Sequence, residues 1–135
     1  MDLITLPNII DERGDLRWVE SGITIPFEIK RIFYMTDAPE SCIRGDHAHR
    51  KCQQFIIMVK GQCMTLSLDY GGNHKDVTIR KCGIGIYIPP MVWCSVGMSP
   101  NNVCLVLASE HYDEADYIRE YFTFIQEVRN ANSIS

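Results

Sequence analysis

His47 and His49 stand two residues apart within Arg44-Gly45-Asp46-His47-Ala48-His49. On a β-strand, residues i and i+2 point to the same face. If that face lines a barrel, both imidazoles enter one cavity. An imidazole with an ordinary pKa of about 6.5 takes and gives a proton at neutral pH. Two of them together suit proton transfer at carbon and at oxygen. An isolated H-x-H is also a plain structural arrangement, so the surroundings decide. Here an Arg-Gly pair precedes the histidines, and Gln54 and Gly61 follow at intervals of four and six intervening residues.

The elements that must position these residues are short. Apolar runs separated by Gly, Pro, Asp and Asn dominate the chain, the pattern of a sandwich or barrel of short strands. Strands are predicted over 2–6, 16–20, 29–35, 41–49, 53–60, 63–70, 75–80, 85–88, 93–97 and 103–108. A polar turn is expected at 10–15 and a hairpin turn at Gly71-Gly72-Asn73. Phe124, Ile125 and Val128 then follow helical spacing, which predicts a short helix over 121–129. The fold class is all-β: about ten strands in a jelly roll, with a short C-terminal helix, forming one domain over 1–135.

Composition bounds the partners. The chain has 135 residues, 46% hydrophobic and 22% charged, with a net charge of −4. That balance disfavours a nucleic-acid partner, and no apolar run approaches the length of a membrane span. Six cysteines (Cys42, Cys52, Cys63, Cys82, Cys94 and Cys104) invite a disulfide reading. They are scattered, without a C-x-x-C pair, and the N-terminus does not read as a signal peptide. Reduced thiols in a cytoplasmic protein are expected.

The spacing His47, His49, Gln54, Gly61 resembles the first motif of the cupin superfamily. The second motif is matched by Gly83 or Gly85 followed by Pro89-Pro90-Met91-Val92-Trp93-Cys94, with Met91 where the pattern has its inner glycine. A metal cupin would hold its ion with two His, a Glu and a final His. This chain has Gln54 and Cys94 at the last two positions, an unusual donor set for the hard or borderline ions such barrels favour. No metal and no cofactor are expected. Arg44 to His49, the Pro89-Pro90 corner, Asp11-Glu12-Arg13-Gly14-Asp15-Leu16 and Tyr112-Asp113-Glu114-Ala115-Asp116-Tyr117-Ile118-Arg119 occur together. In this combination the chain resembles the cupin sugar-nucleotide 3,4-ketoisomerases over residues 3–126.

The resemblance implies a metal-free isomerase acting on dTDP-4-keto-6-deoxyglucose through an enediol. The product would feed 3-amino-3,6-dideoxy sugars of lipopolysaccharide or S-layer glycans. By analogy His47 works at carbon and His49 between the oxygens, while Tyr34 and Arg44 orient the sugar or stabilise the enolate oxygen. Substrate-binding roles fall to Arg17, Arg31, Gln54 and Trp93. Arg13, Arg17, Arg31 and Arg44 are the candidates for the diphosphate, and Trp18 or Trp93 for the thymine. Tyr112 and Tyr117 read as core or subunit contacts, and Cys94 as a spectator thiol. A homodimer with exchanged N-terminal strands is implied as well.

Three other readings stay open at this stage. A 3,5-epimerase of the same keto sugar would pair a His with an Asp and use a Tyr acid on the opposite face. A non-catalytic sugar-binding cupin would turn nothing over. A dioxygenase-type cupin would hold a tightly bound metal.

Overall fold

A computed structural model describes residues 3–134, apart from the side chain of residue 134. Its strands are β1 (Leu3–Thr5), β2 (Asn8–Asp11), β3 (Gly14–Arg17), β4 (Arg31–Met35), β5 (Cys42–His49), β6 (Gln54–Lys60), β7 (Met64–Asp69), β8 (His74–Ile79), β9 (Ile84–Ile88), β10 (Trp93–Met98), β11 (Val103–Ala108) and β12 (Tyr117–Ile118). A 3-10 turn at Glu114–Asp116 precedes β12, and the helix α1 runs over Tyr121–Ile134. Two five-stranded antiparallel sheets, β1-β9-β6-β11-β4 and β12-β5-β10-β7-β8, face each other as a jelly roll.

Alternation along the strands builds three apolar layers. Ile56 and Met58 of β6 point inward, where they meet Leu66, Leu68, Val96, Cys104 and Val106 between the sheets. Phe55 and Ile57 point outward and are covered by Leu6, Ile25 and Phe27. On the other sheet Ala48, Trp93 and Ile118 face α1 and pack on its fully buried Phe124. The histidines flank Ala48 on β5, so period two turns them to the opposite face, into the barrel.

Three expectations need correction. The polar turn at 10–15 is a β-hairpin, β2 paired with β3 around a two-residue loop at Glu12-Arg13, and the strand expected over 16–20 ends at Arg17. Both strands are exposed along their whole length, so no buried face alternates with a solvent face to mark them. The helix extends five residues past 129, because the exposed 129–133 stretch carries no apolar stripe to mark it. The strand expected over 2–6 is present as Leu3–Thr5 within the described residues, paired with β9, Leu3 opposite Ile86. The β2–β3 hairpin forms a separate two-stranded sheet outside the two five-stranded ones.

Candidate active site

The two imidazoles lie 5.0 Å apart between ring centroids, nearly perpendicular. A β-bulge sets their approach. His47 faces Cys94 on β10, yet Gly45 faces Ser95, so Asp46 is an extra residue on β5. Gly45 and Asp46 both take positive φ, 85° and 61°. A side chain on Gly45 would place its Cβ 3.0 Å from the Cys94 carbonyl oxygen, which explains the glycine. The Asp46 carboxylate latches the bulge by accepting from Trp93 Nε1 at 3.0 Å and from Ser95 Oγ at 3.3 Å.

His49 is 5% exposed, and its Nδ1 lies 3.0 Å from Asp116 Oδ2. The Asp116 carboxylate also accepts from the backbone N–H of Lys51 at 2.6 Å and of Cys52 at 3.2 Å. Those donors fix the carboxylate as an acceptor, so His49 donates Nδ1–H to it. The lone pair then resides on Nε2, which is buried and has no partner among the described residues. β12 carries Asp116's neighbour into place: Tyr117 lies opposite His49 in the ladder. The Tyr117 ring touches both imidazoles, with centroids 4.9 Å from His47 and 4.3 Å from His49. Arg50 ties this segment to α1, donating to the Ala115 and Tyr117 carbonyl oxygens and pairing with Glu127.

Burial governs the charges. It pulls the His47 pKa below the ordinary imidazole value. It brings His49 down to about 4, against the opposing hydrogen bond to Asp116. Both imidazoles are neutral at pH 7, as a base that must accept a proton requires. The Cys94 thiol, buried beside His47, is pushed up to about 12 and stays protonated.

A cavity of about 120 Å³ opens at His47, lined by Arg44, His47, Gln54, Cys94 and Tyr117 over Phe33 and Val106, with His49 behind His47. It holds the volume of roughly four waters, less than the 300–1,000 Å³ or so of an ordinary ligand pocket. A nucleotide must lie outside it.

The structure brings together His47, His49, Gln54 and Arg44. Arg31 joins them through its Nη1, 3.3 Å from the Tyr117 hydroxyl. Three expected site residues lie elsewhere. Tyr34 sits on the outer face of β4, 69% exposed, because Phe33 and Met35 take the inward positions; it lines a neighbouring groove with Arg44. Trp93 is one residue out of phase with Cys94, so it faces α1 and packs on Tyr121 and Phe124. Arg17 lines a groove of about 560 Å³ on the outer face of the first sheet, with Trp18 and Val59. It is held there by Asp15 and the Cys82 carbonyl oxygen. Arg13 is at the hairpin tip, paired with Asp11. Asp116 and Tyr117 were missed as site residues. The sole signal for them was their place in the Tyr112-to-Arg119 string.

The donors do not suit the hard or borderline ions of the usual cupin position: Gln54 is a neutral, weak ligand and Cys94 a soft one. His49, Cys52 and Asp116 do bring one ligand atom each within 4.8 Å of one another. Both Asp116 oxygens are already engaged by backbone N–H groups, and neither Cys52 nor Asp116 lines the cavity. All six cysteines are unbonded.

Comparison with known proteins shows the family and the fold. The family model described as "FdtA: WxcM-like, C-terminal" matches residues 1–129. A TDP-4-oxo-6-deoxy-alpha-D-glucose-3,4-oxoisomerase from Aneurinibacillus thermoaerophilus is 38% identical over 131 residues, covering 96% of this chain and 94% of that protein. The sugar 3,4-ketoisomerase QdtA from Thermoanaerobacterium thermosaccharolyticum, solved with TDP, is 37% identical with a TM-score of 0.91, covering 96% of this chain and 95% of its own. A histidine-to-asparagine variant of that enzyme has been solved with TDP-4-keto-6-deoxyglucose. The TDP-quinovose 3,4-ketoisomerase WlaRB from Campylobacter jejuni is 36% identical with a TM-score of 0.87, covering 93% of this chain and 96% of its own.

Proposed function

The chain belongs to the FdtA, WxcM-like family of sugar 3,4-ketoisomerases, and from that premise we propose how its residues carry the reaction on a TDP-linked 4-keto-6-deoxyglucose. The observation that carries the reading is the pair of neutral imidazoles in edge contact, half-buried His47 lining the cavity and buried His49 behind it, held by a carboxylate.

The sugar ring enters the cavity with C3 against His47. The imidazole takes the C3 proton, which is acidic because it is α to the C4 carbonyl. The C3–H electrons form the C3=C4 bond, and the carbonyl pair moves onto O4. His49 accepts the O3 hydroxyl proton at Nε2 and returns it to O4. The C3 carbonyl forms as the imidazolium of His47 gives its proton to C4. Every proton is returned, so no cofactor is consumed. Arg44 at the cavity mouth and Gln54 in its wall bind the sugar end.

The His49–Asp116 pair is also what an epimerase would use. Tyr117 lies against both histidines rather than across the ring from them, which favours the isomerase. Turnover of the TDP-4-keto sugar in deuterated water, followed by NMR, tests it. Deuterium at C4 with a new C3 ketone is expected. Exchange at C5 with the ketone still at C4 would overturn the reading, and so would no turnover.

Among the described residues no helix is long and apolar enough to cross a membrane. We place the enzyme in the cytoplasm, supplying keto sugars for transamination to 3-amino sugars of surface glycans. We also read it as a homodimer whose exchanged N-terminal element is the β2–β3 hairpin rather than β1.

A further inference from the structure

The proton transfers above leave one demand unassigned. When the C3–H electrons move, negative charge builds on O4 before a proton arrives there, and a fixed donor at that position lowers the barrier. Tyr34 and Arg44 were the expected donors; Tyr34 lies on the outside of β4, and Arg44 is the exposed cavity residue already given to the sugar end. Tyr117 is on the cavity wall.

Three observations single out its hydroxyl. The ring is clamped against both imidazoles, so any sugar held by the two histidines also meets the phenol edge. The phenol oxygen accepts a hydrogen bond from the Arg31 guanidinium. Its own proton therefore points away from Arg31, and it finds no acceptor among the described residues. Arg31 is in turn pinned, its guanidinium lying 5.2 Å over the Phe33 ring and 5.6 Å from that of Tyr112. Arg119 covers the Tyr117 ring from another side at 4.4 Å. A phenol with a cation on its oxygen is a stronger donor than a free one, and two cations nearby favour negative charge at the same place.

We propose that Tyr117, polarised by Arg31, is the hydrogen-bond donor that stabilises the enolate oxygen of the sugar. Tyr117 acts on the substrate directly. Arg31 acts through it, as a positioning residue, and need not touch the diphosphate. The proposal rests on the ketoisomerase reading and adds a residue to it.

The test uses the full-length enzyme with the TDP-4-keto sugar. Tyr117→Phe keeps the ring packing and removes the donor. It is expected to lower kcat about 10²- to 10³-fold, with TDP affinity and melting temperature unchanged. Arg31→Gln should lower kcat in the wild type and add little in the Tyr117→Phe background, since the two form one unit. Replacing Tyr117 by 3,5-difluorotyrosine should move the alkaline limb of kcat to lower pH, because an ionised phenol cannot donate. If Tyr117→Phe turns over within threefold of wild type, the proposal is overturned. If that variant instead loses stability, the fluorinated enzyme decides, and an unmoved alkaline limb overturns the proposal. A wild type that converts no keto sugar overturns the ketoisomerase reading and this assignment with it.

Discussion

His49 is almost wholly removed from water, and the carboxylate beside it does not restore its affinity for a proton. Folded, the imidazole titrates at about 4; in the unfolded chain it titrates near 6.5. Between those values the unfolded chain binds more protons, so stability rises with pH across the window and is lost as pH falls through it. The His49 contribution is complete above pH 6.5 and gone below pH 4, on the order of 3 kcal/mol in all. Urea midpoints at pH 7.0 and 4.5 check this in the wild type and in His49→Asn. The wild type should lose clearly more stability on acidification than the variant, which lacks the titrating group. Equal losses would show that burial is not holding the imidazole neutral. The same depression predicts that kcat/KM keeps its full value to a pH below the ordinary imidazole range before its acid limb sets in.

At the scale of elements, the site depends on α1 being held against the second sheet, since Arg50 and Phe124 tie the β12 segment to that helix. The β7–β8 turn takes part. Asp69 accepts from the N–H groups of Gly71 and Gly72 and from the Tyr121 hydroxyl at the helix start. Gly71 and Gly72 share a positive φ near 110°, but a Cβ on Gly71 would lie 2.5 Å from Val128 Cγ1 of the helix, whereas one on Gly72 meets nothing. Gly72→Ala should therefore cost only backbone strain, about 1–2 kcal/mol. Gly71→Ala should cost a further 1–3 kcal/mol or so from overpacking. Chemical denaturation of the two variants separates them, and equal losses would deny the close helix approach. Strand parity made much of this scale legible beforehand. His47, His49, Gln54 and Cys94 follow from alternation within single strands, and so does the outward turn of Tyr34. Parity also turns Trp93 away from the cavity once Cys94 is placed in it. Asp116 and Tyr117 were not legible. They reach the histidines from 67 and 70 residues away through a two-residue strand, and neither periodicity nor composition marks so short an element. The β2–β3 hairpin was hidden because a doubly exposed strand has no apolar face to alternate with a polar one.

The whole molecule is left with surface that a lone barrel does not use. Ile9, Ile10 and Leu16 on the hairpin are more than half exposed, as are Ile32 and Tyr34 on β4 and Ile43 on β5. β4 is also the open edge of its sheet, with backbone groups free to pair. Apolar patches of this extent mark contact surfaces, and a hairpin outside the two large sheets and an open β4 edge are complementary. The site points the same way. Its cavity is too small for a nucleotide, and Arg13 and Arg17 are carried on the hairpin, away from their own histidines. Exchange of hairpins between two copies would bury the apolar side chains and could bring cations toward the mouth of the partner's cavity. Light scattering on the eluting protein should give about twice 15.5 kDa at micromolar concentration. Ile10→Lys combined with Leu16→Lys should give the monomer, with weaker TDP binding, while circular dichroism still reports the barrel. A wild type that runs as a monomer, or a charged double variant that stays dimeric, would rule out this hairpin as the exchanged element.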